Sequence, residues 1–134
     1  MNIAIVGATG NVGRKTLEVF DKKNFKFDNL YLVASEKSAG KKISFRDKEY
    51  VIENLETYDF SKADITFFAA GGKIAEKFAE KAAKHTIVID NSSFFRMDPD
   101  VPLIVPQVNA AEIKNMKKNI IANPNCSTAQ LVIA

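Results

Sequence analysis

The residues Asn2-Ile-Ala-Ile-Val6, followed directly by Gly7-Ala-Thr-Gly-Asn-Val-Gly13, join a short apolar run to a cluster of three glycines. The run has the composition of a buried strand, and residues 15–23 carry apolar side chains at helical spacing with charged side chains between them. Glycines between a strand and a helix permit a tight turn, close approach of a pyrophosphate and close packing of helix on strand. The spacing Gly-x-x-Gly-x-x-Gly is a weak signal alone, since turns after strands are often rich in glycine. Its position at the first strand-to-helix junction favours a dinucleotide-binding site.

Strands and helices alternate along the rest of the chain. Alternating apolar residues on both sides of Arg46-Asp-Lys48 predict a β-hairpin. The order of elements predicts an α/β, Rossmann-like, doubly wound and mostly parallel sheet with an inserted β-hairpin, and it places a ligand beyond the carboxyl ends of the strands. The other predicted elements are strands at residues 30–34, 65–69, 86–89, 103–105 and 120–122, and helices at about 73–84 and 109–116.

Composition and charge narrow the class of protein. With 134 residues, 46% of them hydrophobic, the chain is long enough for one domain with its own core, which we assign to residues 1–134. The net charge is +3 and the basic residues are scattered, which argues against nucleic-acid binding and favours a small phosphorylated molecule as the anionic partner. No apolar run reaches the roughly 18 residues that a membrane span needs, and the first residues do not resemble a signal sequence. We therefore expect a cytoplasmic protein that binds no membrane.

The last residues, 126–134, predict two turns of a helix that stops in the apolar run Leu131-Val-Ile-Ala134 without a cap or a glycine. An exposed apolar half-helix is an unusual end for a domain. From the sequence we expect a truncated domain whose continuation, or a partner subunit, covers this surface.

The loop after the second predicted strand, Ser35-Glu-Lys-Ser-Ala-Gly-Lys41, bears on the choice of cofactor. NAD enzymes usually place an acid there to hold the ribose 2′-hydroxyl. Ser35, Lys37 and Ser38 could instead hold a 2′-phosphate, with Glu36 pointing to solvent. Two alternatives stay open, in which Glu36 takes the role of that acid or the loop is only a solvated surface loop.

The strand predicted at 65–69 runs into Ala70-Gly-Gly72. Because glycine carries no side chain, the backbone at Gly71 could pass close beneath a cofactor. A plain strand-to-helix turn has the same residue types, so this signal is weak on its own.

Arg96 follows the next strand, at the end of Asp90-Asn-Ser-Ser-Phe-Phe-Arg96. A guanidinium there could grip a phosphate with two parallel hydrogen bonds. The alternative is an exposed ion pair with Asp98 or Asp100, which would contribute little to stability.

Cys126 is the only cysteine, and it lies in Asn123-Pro-Asn-Cys-Ser-Thr128, after a predicted strand and at the predicted first turn of a helix. The positive end of the helix dipole favours a thiolate there, and the free N–H groups of the first turn, with the amide of Asn125, are placed to receive an oxyanion. A lone cysteine is more often a buried structural residue, yet this polar lead-in is not core composition. His85, the only histidine, is expected at the surface and not to act as a base.

Five motifs together resemble one known family over the whole chain. They are GATGNVG, ASEKSAGK, FFAAGG, VIDNSSFFRMDPDVPLIVPQVN and IIANPNCSTAQ, in the order and spacing of bacterial aspartate-semialdehyde dehydrogenases. The resemblance implies that Arg96 binds the substrate phosphate, that Cys126 is the nucleophile, and that Asn125 lies beside it in the acyl-phosphate pocket. The residues that it implies for binding NADP are Thr9, Gly10, Asn11, Val12, Ser35, Lys37 and Ser38, and to these the glycine patterns described above add Gly7 and Gly71.

Two residues depart from the family pattern. Lys37 stands where arginine is usual, which keeps the charge but loses the forked geometry of a guanidinium. Gln107 stands where the family usually has glutamate.

By the resemblance, the intact enzyme is a homodimer or homotetramer that reduces L-aspartyl 4-phosphate to L-aspartate 4-semialdehyde with NADPH, on the route to lysine, methionine and threonine. The reaction passes through a thioester on Cys126. The family's second domain, with its general-base histidine and substrate-binding arginine, is expected to lie outside residues 1–134. The alternatives are an N-acetyl-γ-glutamyl-phosphate reductase and a noncatalytic NADP-binding module, and the NPNCST and FRMDPDVP motifs favour the aspartate enzyme over the former.

Overall fold

A seven-stranded sheet forms the centre of the computed structural model, which describes residues 1–134. Its strands are β1 (Asn2–Val6), β2 (Asn29–Ala34), β3 (Lys42–Phe45), β4 (Lys48–Asn54), β5 (Ile65–Phe68), β6 (Ile87–Asp90) and β7 (Ile120–Ala122). Their order across the sheet is β3-β4-β2-β1-β5-β6-β7, and only the β3–β4 pair is antiparallel. The predicted Rossmann-like, mostly parallel sheet with an inserted hairpin is therefore confirmed.

Short helices connect the strands. The α-helices are α1 (Asn11–Lys22), α2 (Gly72–Ala82), α3 (Pro106–Asn109) and α4 (Cys126–Ile133). The 3-10 helices span Glu36–Ser38, Phe60–Lys62 and Ala110–Asn115. None of these helices is long and apolar enough to cross a membrane.

The first helix begins earlier than its apolar spacing predicts. α1 starts at Asn11 and not at 15, because Gly10 has the extended conformation of an N-cap, with φ −77° and ψ 168°. Asn11 and Val12 are exposed, so they add nothing to the apolar stripe. The buried residues of α1 are Gly13, Leu17 and Phe20.

Residues 103–105, predicted as a strand, form only an isolated parallel bridge between Leu103 and Ala122. Prolines at both ends, Pro102 and Pro106, explain the difference, because proline has no N–H for a ladder and restricts the residue before it. The segment still covers the outer side of β7, since Ile104 donates its N–H to the carbonyl of Ala122 at 2.9 Å.

Helical structure is present at the predicted 109–116, but it begins earlier and most of it is a 3-10 helix instead of an α-helix. An α-helix begins with Pro106, which is favoured in a first turn, and stops at Asn109. The side chain of Asn109 bonds back to the N–H of Val105 at 2.8 Å and to the carbonyl of Leu103 at 2.9 Å. The chain then continues only as the 3-10 helix Ala110–Asn115.

Two apolar cores cover the two faces of the sheet. α2 packs on one face, and α1 packs on the other. The first core includes Val6, Phe68, Ala75, Phe78, Val88 and Ile120. The second includes Ile3, Ile5, Leu17, Phe20, Leu32, Phe45 and Ile52. With helices on both faces, the carboxyl ends of the strands are left as the place for a ligand.

The hairpin is fastened to α1 through its turn. Arg46 and Asp47 both have left-handed backbones, with φ 49° and 61°, as a two-residue hairpin turn requires. The Arg46 guanidinium donates hydrogen bonds to the carbonyls of Phe20 and, at 2.9 Å, of Phe25, and it lies 5.0 Å from the centre of the Phe45 ring. Arg46 therefore ties the hairpin to one carbonyl in the last turn of α1, that of Phe20, and to one just beyond the helix, that of Phe25.

The glycine-rich turn lets α1 approach the end of β1 very closely. A Cβ on Gly7, whose φ is +86°, would lie 2.7 Å from the Ala69 carbonyl oxygen, and a Cβ on Gly13 would lie 2.4 Å from the Gly7 carbonyl oxygen. Both neighbours are backbone atoms, which cannot rotate away. The tight turn and the close helix packing predicted for these glycines are thus present.

Replacing Gly13 with alanine should lower the free energy of unfolding by about 1–3 kcal/mol, the usual cost of overpacking. Urea denaturation followed by circular dichroism measures the change. Gly72→Ala is the matched control, because its Cβ would meet only the Phe94 Cβ, at 3.9 Å. That variant should stay within about 0.5 kcal/mol of the wild type. Equal losses in the two variants would contradict the role given to Gly13.

Candidate functional site

The largest cavity at the carboxyl edge of the sheet, the main cleft, has a volume of about 760 Å³. Three segments form most of its wall: the glycine-rich turn, the loop after β2 and the residues that follow β5. Its lining residues are Val6, Gly7, Thr9, Gly10, Ala34, Ser35, Glu36, Lys37, Leu55, Glu56, Ala69, Ala70, Ile74 and Phe78. The cleft lies at the centre of the sheet, where β1 is flanked by β2 and β5, which is where doubly wound sheets bind dinucleotides.

The glycine-rich turn fits a phosphate-bearing ligand. Gly10 lines the cleft and carries no side chain that would fill it, and α1 begins at the next residue. The first N–H groups of α1 have no partners further back within the helix, and a helix N-terminus attracts anions. Of the five residues predicted at this turn, Gly7, Thr9 and Gly10 line the main cleft, whereas Asn11 and Val12 do not.

The loop after β2 places most of its predicted residues at the cleft. Ser35 and Lys37 line it and are exposed, while Ser38 is half-buried and contributes a backbone N–H to the Ser35 carbonyl at 2.9 Å. Glu36 also lines the cleft. Neither Glu36 nor Lys37 forms an ion pair. The cleft wall therefore contains Ser35 and Lys37, which could hold a 2′-phosphate, and also Glu36, which could hold a ribose hydroxyl instead.

Gly71 lies at the start of α2, where it is the N-cap residue with φ +85°. An ideal Cβ on Gly71 would have no heavy atom within 4 Å, and Gly71 is not part of the cleft wall. Its left-handed backbone, and not a crowded approach, is what requires glycine here.

A second cavity, the side groove, has a volume of about 330 Å³ and lies between α1 and the ends of β5 and β6. It shares Ala69 with the main cleft. Apolar side chains form most of its wall, and Asn91 and Asn123 stand at the carboxyl ends of β6 and β7. The remaining lining residues are Val12, Lys15, Thr16, Val19, Phe20, Phe67, Phe68 and Ile89.

Arg96 is half-buried and is held by main-chain carbonyls. Its Nε donates to the Asn123 oxygen at 3.0 Å, and one Nη donates to the Asn91 oxygen at 3.3 Å. The ion pairs with Asp98 or Asp100 that the sequence left open do not form, because Lys118 lies 3.0 Å from Asp98 and Lys117 lies 2.7 Å from Asp100. The remaining N–H donors of the Arg96 guanidinium are free to bind an anion.

Asp90 organises the loop that leads to Arg96, a role that sequence reasoning missed. Its fully buried carboxylate accepts from the N–H of Ser92 at 3.0 Å and from the Ser92 hydroxyl at 2.6 Å. The Ser92 hydroxyl in turn accepts from the N–H of Phe94 at 3.1 Å. An aspartate two residues before a serine is a known turn signal, and it could have indicated this arrangement.

The other end of the loop is fastened by Lys118, which precedes β7. Its ammonium group reaches Asp98 at 3.0 Å and Glu80 of α2 at 3.3 Å. The N–H of Asp100, bonded to the Asp98 carboxylate, and the Lys118 ammonium together hold the pKa of Asp98 below its usual range. The loop carrying Arg96 is therefore fixed at both ends.

Cys126 is the first residue of α4 and is exposed, so it is not a core residue. Asn125 is the N-cap, and its side-chain oxygen accepts from the N–H of Thr128 at 2.7 Å. This leaves the side-chain N–H₂ of Asn125 free at the same helix end. His85 is exposed, as predicted. It precedes β6 and so lies at the amino edge of the sheet, opposite to the edge that carries Cys126.

Residues 2–116 match the family described as "Semialdehyde dehydrogenase, NAD binding domain". The aspartate-semialdehyde dehydrogenase of Aquifex aeolicus is 53% identical over 98% of this chain. A crystal structure of aspartate semialdehyde dehydrogenase II complexed with ASA, from Vibrio cholerae, has a TM-score of 0.92 and 48% identity, covering 98% of this chain and 44% of its own. The enzyme from Candida albicans with NADP has a TM-score of 0.70 and 29% identity, covering 98% of this chain and 44% of its own.

The match to the family model ends before Cys126, but the similarity to the relatives extends past it, over 98% of the chain. The chain spans about 40% of the length of the Aquifex relative. Since the family model covers most of the residues described here, the chain belongs to the family of semialdehyde dehydrogenase NAD-binding domains.

Proposed function

We propose that this chain is the NADP-binding part of an aspartate-semialdehyde dehydrogenase and supplies its catalytic cysteine, Cys126. The observation that carries the proposal is the placement of Cys126. It is exposed at the start of α4, and Arg96 is bonded to the carbonyl of Asn123 in the segment that leads into that helix. Both side chains follow strands that end at the carboxyl edge of the sheet, the edge that carries the main cleft. The identity to aspartate-semialdehyde dehydrogenases supports the same reading.

The cofactor is held by two parts of the cleft. The glycine-rich turn holds the pyrophosphate through Thr9 and through the backbone N–H groups of Asn11 and Val12 at the start of α1. Ser35, Lys37 and Ser38 hold the 2′-phosphate through a positive charge and hydroxyl groups. NADPH supplies the hydride for the reduction when it is bound. The enzyme from Candida albicans that contains NADP supports this choice.

The substrate of the complete enzyme is L-aspartyl 4-phosphate. The Cys126 sulfur attacks its acyl carbon, so that a C–S bond forms and the C–O bond to phosphate breaks. Reduction of this thioester and cleavage of the C–S bond release L-aspartate 4-semialdehyde and restore the thiolate.

Arg96 and the start of α4 stabilise the charges that this reaction develops. The free N–H donors of Arg96 bind the phosphate as it leaves. The first N–H groups of α4 and the side chain of Asn125 stabilise the oxyanion on the acyl carbon. Because Arg96 is already anchored to two carbonyls, it needs little reorganisation to do so.

The general base and the group that binds the substrate carboxylate come from a second domain of the enzyme. The only histidine of the chain, His85, lies at the wrong edge of the sheet, so the general base is not among residues 1–134. The base, the group that clamps the substrate carboxylate and the contacts of a homodimer or homotetramer belong to the rest of the enzyme. A lone exposed thiol suits the reducing cytoplasm as its compartment.

The rival substrate is an N-acetyl-γ-glutamyl phosphate, which undergoes the same chemistry. The relatives described above, at 48% and 53% identity, are aspartate enzymes and favour the aspartyl substrate. A noncatalytic NADP-binding module would not need an exposed cysteine at a helix start.

Cys126 should react with iodoacetamide in the folded chain about as readily as in the denatured chain, because its side chain is exposed at the start of α4. A cysteine buried in the core would be protected by folding and would react far more slowly in the folded chain. The rate of alkylation in each state is measured by mass spectrometry. A folded chain that resists alkylation while the denatured chain reacts would show that Cys126 is a structural residue.

The chain should bind NADP at least tenfold more tightly than NAD, because Lys37 is close to the predicted 2′-phosphate position and has no carboxylate partner. Isothermal titration with both dinucleotides measures the ratio. Lys37→Met should weaken NADP binding and leave NAD binding nearly unchanged, while Lys41→Met, in the same loop region but not lining the cleft, should change neither. Equal affinities in the wild type would mean that Glu36 holds a ribose hydroxyl instead.

A further inference from the structure

Asp90, the last residue of β6, carries the only charged side chain that is buried in the protein. It takes part in none of the ion pairs. A buried carboxylate without a cation lowers the stability of a fold unless hydrogen bonds replace the water that it has lost. Stability alone therefore does not explain why an acid stands at this position, and the reason must come from the hydrogen bonds that it accepts.

Both oxygens of this carboxylate are used by one residue of the loop that leads to Arg96. The N–H and the hydroxyl of Ser92 donate to the two oxygens at 3.0 and 2.6 Å, and Ser92 is itself buried. The Ser92 hydroxyl also accepts from the N–H of Phe94 at 3.1 Å. The path of the main chain from β6 towards Arg96 is therefore fixed by hydrogen bonds that begin at a single carboxylate.

The main chain of Asp90 reaches the segment that carries the cysteine. Its carbonyl accepts from the N–H of Asn123 at 2.8 Å, and the carbonyl of Asn123 accepts from the Nε of Arg96 at 3.0 Å. The side chain of Asn123 also donates to that of Asn91 at 2.6 Å, and the Asn91 carbonyl accepts from an Nη of Arg96. Cys126 begins α4 three residues after Asn123. These hydrogen bonds join the Arg96 loop and the cysteine segment into one closed ring.

The direction of the Arg96 guanidinium depends on this ring. The two carbonyls that hold it, those of Asn91 and Asn123, belong to the two segments that Asp90 joins. A guanidinium grips a phosphate through two parallel N–H groups, so its plane as well as its position decides how well it binds. A misplacement of about 1 Å can lower the rate of a reaction about a hundredfold. A looser ring would therefore leave Arg96 present but wrongly oriented.

We propose that Asp90 is a positioning residue, whose buried carboxylate acts through Ser92 to orient Arg96 towards the phosphate of the substrate. Asp90 is fully buried, so it does not touch the substrate itself. The inference rests on the proposed function, because it requires that Arg96 binds that phosphate. The phosphate site then depends on two buried side chains, those of Asp90 and Ser92, as well as on the arginine.

The test measures the binding of inorganic phosphate to the chain by NMR, from the shifts of backbone amides in the Arg96 loop at constant ionic strength. Arg96→Met should bind phosphate at least about tenfold more weakly than the wild type, which assigns the binding to the arginine. Asp90→Asn keeps the size of the side chain but removes its charge and one of its two acceptor oxygens. Ser92→Ala removes the hydroxyl that connects Asp90 to Phe94. Each of these two variants should weaken phosphate binding roughly tenfold, the effect of losing one hydrogen bond to the anion.

Thr66→Val is the matched control for the loss of a buried hydroxyl. Thr66 is fully buried in β5, where its hydroxyl bonds to that of Thr86 at 3.2 Å, and neither residue belongs to the ring. This variant should lower the midpoint of thermal unfolding about as much as Ser92→Ala does, but it should bind phosphate as the wild type does. Phosphate binding is measured well below all the midpoints, so a loss of stability alone does not change it.

The outcomes separate the possible failures. If Asp90→Asn and Ser92→Ala bind phosphate as the wild type does, the inference is overturned and the role proposed for Arg96 stands. If Thr66→Val weakens phosphate binding as much as Ser92→Ala does, the ring only supports the fold, and the inference is wrong. If Asp90→Asn does not fold, Ser92→Ala decides alone, since it removes a single hydroxyl group. If the wild type does not bind phosphate, or Arg96→Met binds it equally well, the role proposed for Arg96 fails, and the inference fails with it.

Discussion

The close contact between α1 and the end of β1 is the constraint on which the rest of the molecule depends. It exists because Gly13 has no side chain, since a single methyl group there would lie 2.4 Å from the Gly7 carbonyl oxygen. The contact sets the start of α1 directly above the carboxyl edge of the sheet. From that point the main cleft opens on one side and the side groove on the other, and both touch Ala69.

The sequence predicted those parts of the fold that depend on neighbouring residues. β1 ends just before Gly7 and β7 ends just before Asn123-Pro124, so turn residues mark the ends of both strands. The hairpin was found because apolar residues alternate on both sides of its turn. The strand predicted at 103–105 and the start and type of the helix predicted at 109–116 were wrong, because Pro102, Pro106 and the side chain of Asn109 override the apolar pattern.

The residues of the candidate site also differ in how far they could be predicted from the sequence. Motifs within one loop, such as those around Arg96 and Cys126, could be identified from adjacent residues. The bond between Asn91 and Asn123 could not, because it joins residues 32 positions apart whose proximity depends on the pairing of β6 with β7. The hydrogen bonds from Arg96 to the main-chain carbonyls of Asn91 and Asn123 could not be predicted either, because Asn123 lies far from Arg96 in the sequence. Asp98 and Asp100 lie close to Arg96 in the sequence, so they suggested an ion pair that the structure does not contain.

Arg46 connects the inserted hairpin to α1. Such insertions are often regarded as removable additions to a sheet, yet the guanidinium of this one binds the carbonyl of Phe20 in the last turn of α1, 26 positions earlier in the sequence. The helix that begins beside the main cleft is therefore tied near its other end to a residue of the insertion. Trimming the chain to a minimal scaffold around the cleft would remove the hydrogen bonds of Arg46 from the last turn of α1 and from the segment after it, so the trimmed chain would need a replacement for them.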